Sequence, residues 1–348
     1  MKLTFRWYGL NDSIPLAYIR EIPALSGVVT SVYDVKPGEV WPKESLQVLK
    51  EACDSKGLKM EVIESIPVVE EIKYGGKNRD HYIEVFKENL RRVAAVGVKC
   101  VCYNFMPVFD WVRSDLGHVN PDGSTSLSYS EEELKRYDPH NLHLPGWDES
   151  YSHDELSRLL SIYQGLSHEE LFNNLVYFLN AISPTLDETG INMAIHPDDP
   201  PWDIFSLPRI ASKEEDFKRL FEAVPNKHNG MTLCVGSLGE CKENDVVKMA
   251  DEFSKEGRIY FAHLRNIRYE GDGFVESGHE SADGSLDMAA IVETLVKNGF
   301  DGYVRPDHGR NIFGEQGKPG YGLFDRALGC TYINGLFEMA ERKKKEGK

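Results

Sequence analysis

The segment DVVKMADEFSKEGRIYFAHLR, residues 245–265, contains one complete unit of the fold. Its first half is amphipathic and reads as a helix. Gly257 falls where that helix would end, the usual place for a left-handed cap, and IYFAHLR (259–265) then reads as a strand. The same order recurs downstream in LDMAAIVETLVKNG and GYVRPD (302–307), and the strand GMTLCVG (230–236) precedes it. Working outward, further strands are expected at 3–8 (LTFRWY), 27–33 (GVVTSVY), 59–64 (KMEVIE), 98–105 (VKCVCYNF) and 191–196 (INMAIH). Amphipathic stretches lie between them. In HYIEVFKENLRRVAAVG, Phe86, Leu90, Val93 and Ala94 fall at helical spacing. Eight strands with interleaved helices predict an α/β fold, a (β/α)8 TIM barrel, as one domain over residues 1–348.

Glycines punctuate this pattern. Gly27, Gly57, Gly97, Gly190, Gly230, Gly257 and Gly299 each stand where a helix would give way to a strand, and all are expected as caps. Helix-to-strand connections are therefore short. Several strand-to-helix connections are long: 106–152, 197–211, 265–285 and 308–322. In a parallel barrel these all emerge at the face where the strands' carboxyl ends meet. The longest, 106–152 after strand 4, is rich in aromatics and turn formers and is expected to be a lid-like insertion. The segment 270–285 (EGDGFVESGHESADGS) lacks the ligand order of an EF-hand and is expected to be a solvated loop, with His279 a weak pocket candidate. Residues 340–348 are expected to be a basic tail.

The chain has 348 residues, 41% of them hydrophobic, which is enough for a large core. Forty Lys and Arg against 56 Asp and Glu give a formal charge of −16, so the chain is a poor binder of nucleic acid or of anionic membranes. The six cysteines form no CxxC pair and no disulfide-scaffold density, which fits a reducing cytosol, and a cytoplasmic location is expected. A small-molecule acid is the expected partner, and a homo-oligomer, a dimer, the expected assembly.

Four residues with metal-binding side chains sit at the ends of four successive predicted strands: His196 in INMAIHP, Cys234 in MTLCVGS, His263 in IYFAHLRN and Asp307 in YVRPDHGR. Alternate residues of a strand share a face, so strand-end side chains can meet at the barrel axis. Imidazole, thiolate and carboxylate are all donors for a divalent first-row metal. Taken singly, each has a plainer explanation: a hydrogen-bonded core histidine, a small buried thiol, a turn-capping or arginine-paired aspartate. His308 lies just past the strand end, where a histidine can act as general acid or base. Tyr321, between glycines in GKPGYGLFD, can be brought over the site or can staple the loop. Arg6, Arg265 and Arg305 are candidate donors to an acidic substrate, since the protein as a whole repels anions. Asn266 is a candidate for sugar hydroxyls and Trp7 a candidate pocket wall. No P-loop, GxGxxG or GxSxG is present.

FRWYG (5–9), GVVTSVYDVKPGEVW, AIHPDDPPW (194–202), the LCVGS around Cys234, FAHLRN (261–266) and RPDHGR (305–310) together resemble the mannonate dehydratase family over nearly the whole chain. The resemblance implies a barrel of the xylose-isomerase-like group. It also implies a hexuronate-pathway hydro-lyase that converts D-mannonate to 2-keto-3-deoxy-D-gluconate with a divalent metal, typically Mn2+. On it, His196, Cys234, His263 and Asp307 match the metal ligands, and His308 and Tyr321 the acid/base pair. Ligand softness alone points elsewhere: thiolate and imidazole favour zinc or iron, with Co2+ also accommodated, over manganese. A metal-dependent sugar isomerase or epimerase on the same barrel, or a non-catalytic sugar-acid binder with a structural ion, are the competing expectations.

Overall fold

The computed structural model describes residues 1–137 and 151–347. Residues 138–150 of the expected lid and Lys348 of the expected tail lie outside the described residues. Twelve strands occur among those described: β1 Lys2–Arg6, β2 Gly27–Thr30, β3 Lys59–Glu64, β4 Cys100–Tyr103, β5 Asp115–Val119, β6 Thr125–Tyr129, β7 Asn192–Ile195, β8 Asn229–Cys234, β9 Ile259–His263, β10 Ile267–Glu270, β11 Gly273–Glu276 and β12 Tyr303–Arg305. Eight of them close a parallel barrel in the order β1-β2-β3-β4-β7-β8-β9-β12, with β12 pairing back onto β1 through Lys2↔Tyr303 and Leu3↔Val304. All eight lie within one residue of, or inside, the segments expected from sequence.

Alternation along each strand builds two apolar layers. One parity points into the barrel, where Val29, Val62, Cys100, Cys102, Ala194, Phe261 and Tyr303 form a small cluster. The other parity, including Leu3, Phe5, Val28, Ile63, Val101, Met193, Leu233 and Val304, joins the large core beneath the helices. The helix Val246–Lys255 shows how the outer layer is held. Asp245 caps it by accepting from Lys248 N, and Val246, Met249, Ala250 and Phe253 bury one stripe. The helix Met288–Lys297 repeats the device, with Asp287 accepting from Ala290 N.

Gly57, Gly97, Gly190, Gly257 and Gly299 have positive φ, as a cap requires. Gly27 and Gly230 do not. They begin strands, and a Cβ there would stand 2.4 Å from Lys59 O and 2.3 Å from Arg258 O respectively. Close backbone approach, not capping, demands glycine at those two positions.

The other four strands form one antiparallel sheet over the mouth, in the order β10-β11-β6-β5. The insertion after β4 supplies β5 and β6, and the 265–285 connection supplies β10 and β11. This corrects the expectation of a solvated loop at 270–285: Phe274, Val275, Glu276, Ser277 and His279 are buried. Phe274 pairs with Tyr129, and their rings stack with centroids 5.6 Å apart. His279 gives no pocket wall, because its Nε2 is bonded to Pro306 O at 2.9 Å and its ring packs against Gly329. The last helix, Phe324–Lys345, runs on through most of the segment expected as a tail. No helix among the described residues is long and apolar enough to cross a membrane.

Candidate active site at the barrel mouth

Strand register brings the donors together. Cys234 on β8 is paired with His263 on β9, and His263 is paired with Arg305 on β12. His196 follows the last residue of β7. One ligand atom each from His196, Cys234 and His263 lie within 4.8 Å of one another. Asp307 lies beside them, with Oδ2 3.6 Å from Cys234 Sγ and Oδ1 3.8 Å from His263 Nδ1. Asp307 has φ +64°, a left-handed conformation that carries its carboxylate inward past the end of β12.

Two details of the donor set suit a cation. His196 Nδ1 lies 2.7 Å from Pro197 O, so it carries the proton and leaves Nε2 with its lone pair. His263 is fully buried, yet its Nδ1 has no hydrogen-bond partner. An orphaned buried nitrogen facing a thiol and a carboxylate fits a divalent metal site.

Arginines surround this set. Arg305 donates from Nη2 to Asp307 Oδ1 and to Glu64 Oε1, both at 2.8 Å, and from Nε to His263 Nε2 at 3.0 Å. Arg265 binds Asp307 Oδ2 at 3.0 Å, Glu276 Oε1 at 2.8 Å and Asp199 Oδ2 at 3.0 Å. Burial acts to raise the Asp307 carboxyl. Arg305, His308, His263 and Arg265 outweigh it and hold Asp307 well below the usual carboxylate range. A second buried arginine, Arg113 from the insertion, pairs with Asp199 and Glu276, and Glu240 lies within reach of both Arg113 and Arg265. Burial, reinforced by Asp199, pushes the Glu240 carboxyl well up, against the pull of Arg113 and Arg265.

Beside the donors, three side chains form a hydrogen-bonded line. Glu276 accepts from His308 Nδ1 at 2.9 Å, and His308 Nε2 lies 2.8 Å from the Tyr321 hydroxyl. Against the effect of burial, His308, Arg265 and Arg113 bring the Glu276 carboxyl down to about 2. An ionised Glu276 holds the His308 proton on Nδ1 and leaves the Nε2 lone pair facing Tyr321. Burial, then Tyr8, pushes the Tyr321 phenol well up, so it keeps its proton. The Trp111 ring, from the insertion, is 5.8 Å from the His308 ring, and the Tyr8 ring meets Tyr321 edge-on at 5.1 Å.

The expected substrate contacts divide. Arg305 Nη1 is buried without a partner, a donor still available at the mouth. Arg6 donates to the Glu64 carbonyl and lies over the Tyr8 ring at 5.0 Å. Arg265 is fully engaged by protein acceptors, which makes it an internal tie between Asp307, Asp199 and Glu276. Asn266 departs from expectation as well. Its amide donates to Glu280 O and Leu286 O and accepts from Ile267 N and Leu286 N, so it holds the loop rather than a sugar hydroxyl. Trp7 is buried in the outer apolar layer, with its amide on Val29 O.

Sequence reasoning missed Glu64 and Glu276. Glu64 ends β3 at the same relative place as Cys234 and His263 on their strands, so the strand-end signal was there on an earlier strand. Glu276 lies on β11, and the Gly271-Asp272 hairpin turn announcing that strand is readable in EGDGF.

Fold and mouth together define a (β/α)8 barrel with side chains able to hold a divalent cation. The fold is shared with L-ribulose 3-epimerase, at TM-score 0.58 and 12% identity over 100% of this chain and 98% of that one. A much nearer likeness is the crystal structure of mannonate dehydratase from Streptococcus suis serotype 2, with TM-score 0.92 and 48% identity over 99% of this chain and 96% of that one. By sequence, the chain is 50% identical to mannonate dehydratase 2 of Halalkalibacterium halodurans over 97% of this chain and 99% of that protein. It is 51% identical to the mannonate dehydratase of Streptococcus pneumoniae over 98% of this chain and 94% of that protein. The D-mannonate dehydratase (UxuA) family model matches residues 1–347, and the chain belongs to that family of hydro-lyases.

Proposed function

We propose that this chain removes water from D-mannonate to give 2-keto-3-deoxy-D-gluconate, with His196, Cys234, His263 and Asp307 holding one divalent cation, Mn2+ foremost. The observation that carries this reading is the convergence of those donors beside the Glu276–His308–Tyr321 line. When bound, the cation supplies Lewis acidity toward the carboxylate and C2 hydroxyl of a sugar acid. Arg305, with its unpartnered Nη1, and Arg6 meet the substrate's negative charge, which the chain's overall −16 would otherwise repel.

The residues then divide the proton work. His308 Nε2, kept as a lone pair by Glu276, takes the proton from C2. The C3–O bond breaks, and the Tyr321 phenol gives its proton to the departing hydroxyl, which leaves as water. Across their 2.8 Å hydrogen bond, His308 returns the C2 proton to Tyr321, so both groups end as they began. The enol released from C2 and C3 becomes the 2-keto acid. The isomerase or epimerase alternative is not favoured, since the relatives near 50% identity are dehydratases.

The test is an assay of Mn2+-loaded protein on D-mannonate, with D-gluconate and D-altronate alongside. A 2-keto-3-deoxy product is expected, together with loss of activity but not of circular dichroism on chelation. His308→Asn and Tyr321→Phe should each lower kcat by about 10²–10⁴-fold with the metal content kept. An isomerised aldonate as product, or full activity in either variant, would refute the reading.

A further inference from the structure

One buried cation beside the mouth is answered by no carboxylate. Arg326 lies in the first turn of the helix Phe324–Lys345 and is buried. Its Nε donates to Gly322 O at 2.7 Å, its Nη2 to Tyr321 O at 2.7 Å and its Nη1 to Arg6 O at 3.3 Å. Every acceptor is a backbone carbonyl, and among the described residues no ion pair joins it. Burial brings the guanidinium down to about 10, which still leaves it charged near neutral pH. An unanswered buried charge is costly, and the helix dipole adds to the cost by disfavouring a cation in a first turn. Positions that break local rules in this way are where function is sought. The guanidinium carbon is 4.1 Å from the Phe5 ring centroid and 5.3 Å from that of Tyr321.

We propose that Arg326 is a positioning residue for Tyr321: it fixes the backbone that carries the phenol and keeps a positive charge beside the ring for the moment when the phenol has lost its proton. The inference rests on the assignment of Tyr321 as the acid above. In that step the phenolic O–H bond breaks, and the proton leaves with the C3 hydroxyl as water. The phenolate persists until His308 passes on the C2 proton across their 2.8 Å bond. A nearby cation stabilises a phenolate more than a phenol, because a full charge adds to the ring quadrupole. Arg305 also acts on this phenol, but its Nη2 is held by Asp307 and Glu64. Lys318 Nζ is 5.4 Å from the ring, yet Lys318 is exposed and screened by water. Of these three, only Arg326 combines burial with the lack of an offsetting carboxylate.

Arg326→Gln keeps a donor for the carbonyls and removes the charge, whereas Arg326→Met fills the space with neither. Each should lower kcat on D-mannonate about 10–100-fold, with KM within about threefold and bound Mn2+ retained. The solvent deuterium isotope effect on kcat should rise, because the proton leaving Tyr321 becomes slower. In a Tyr321→Phe background, neither substitution should lower kcat by more than about twofold further. Should the glutamine variant fail to fold, the methionine variant carries the same comparisons. A kcat within about threefold of the unsubstituted chain in either folded variant overturns the proposal. So do losses that multiply with that of Tyr321→Phe. A lowered kcat with an unchanged isotope effect overturns it too, and would make Arg326 a tie of the loop alone. Full activity of Tyr321→Phe by itself would instead sink the acid assignment, and this inference with it.

Discussion

Replacing Glu276 by Gln separates a residue that positions the base from one that only fills space. Glu276 Oε1 accepts from His308 Nδ1 at 2.9 Å, from Arg113 Nη2 at 2.8 Å and from Arg265 Nη1 at 2.8 Å. Glu276, Asp199 and Asp307 supply the buried carboxylates paired with the two arginines. Replacing Glu276 removes one of those buried charges and breaks its ion pairs with both arginines, at a cost of about 3–5 kcal/mol. With an unfolding entropy of about 2.1 cal/mol/K per residue, a 348-residue chain loses about 4–7 °C in Tm for that cost. The kinetic effect has a different origin. The arginines hold the new amide oxygen, and its NH2 turns toward His308 Nδ1. That nitrogen must then accept, the ring proton moves to Nε2, and the base is lost toward C2 and Tyr321. The expected result is a fall in kcat of about 10²–10⁴-fold with KM changed little, because Glu276 is not proposed to touch the substrate. The assay is steady-state kinetics on D-mannonate with the metal-loaded variant, with metal content and thermal melting measured on the same sample. A lowered Tm with kcat within about threefold of the unsubstituted chain would refute the positioning argument and leave Glu276 a structural residue.

Cys234→Ser exchanges a soft thiolate for a hydroxyl at the proposed metal site, so ion affinity should drop by at least about 10-fold and the cobalt charge-transfer band should vanish. A band that persists would place the thiolate elsewhere. Acid should destabilise the fold through Glu276, whose folded carboxyl is lowered from 4.5 to about 2. A lowered folded value means that the stabilisation is fully present above the unfolded value and is lost as pH falls from 4.5 toward about 2. The shift corresponds to about 3 kcal/mol. Urea midpoints measured across that range should fall more steeply for the unsubstituted chain than for Glu276→Gln, and parallel curves would contradict the assignment.

The barrel was legible because its signals are local. Strand composition, amphipathic helices and helix-end glycines such as Gly57 and Gly257 each depend on a few neighbouring residues. Gly27 and Gly230 were misread as caps because a helix-end glycine and a glycine at a close backbone approach look alike in one dimension. The mouth sheet was missed for a different reason. EGDGF carries a hairpin turn, yet the partner that buries Phe274 and Val275 is β6, from a different insertion, and no local pattern encodes that pairing.

Local residue patterns fix the alternation of strands and helices, and therefore put His196, Cys234, His263, Asp307 and His308 at strand ends that a parallel barrel gathers at one mouth. What each side chain does there depends on the closed fold. It turned Arg265 and Asn266 inward onto protein acceptors, put Glu276 behind His308, and left His263 Nδ1 and Glu64 Oε2 without partners. The physical reason is that backbone pattern is set by short-range sterics and apolar period, whereas a buried charge takes its role from whichever oppositely charged or hydrogen-bonding group the closed barrel sets within about 3 Å of it.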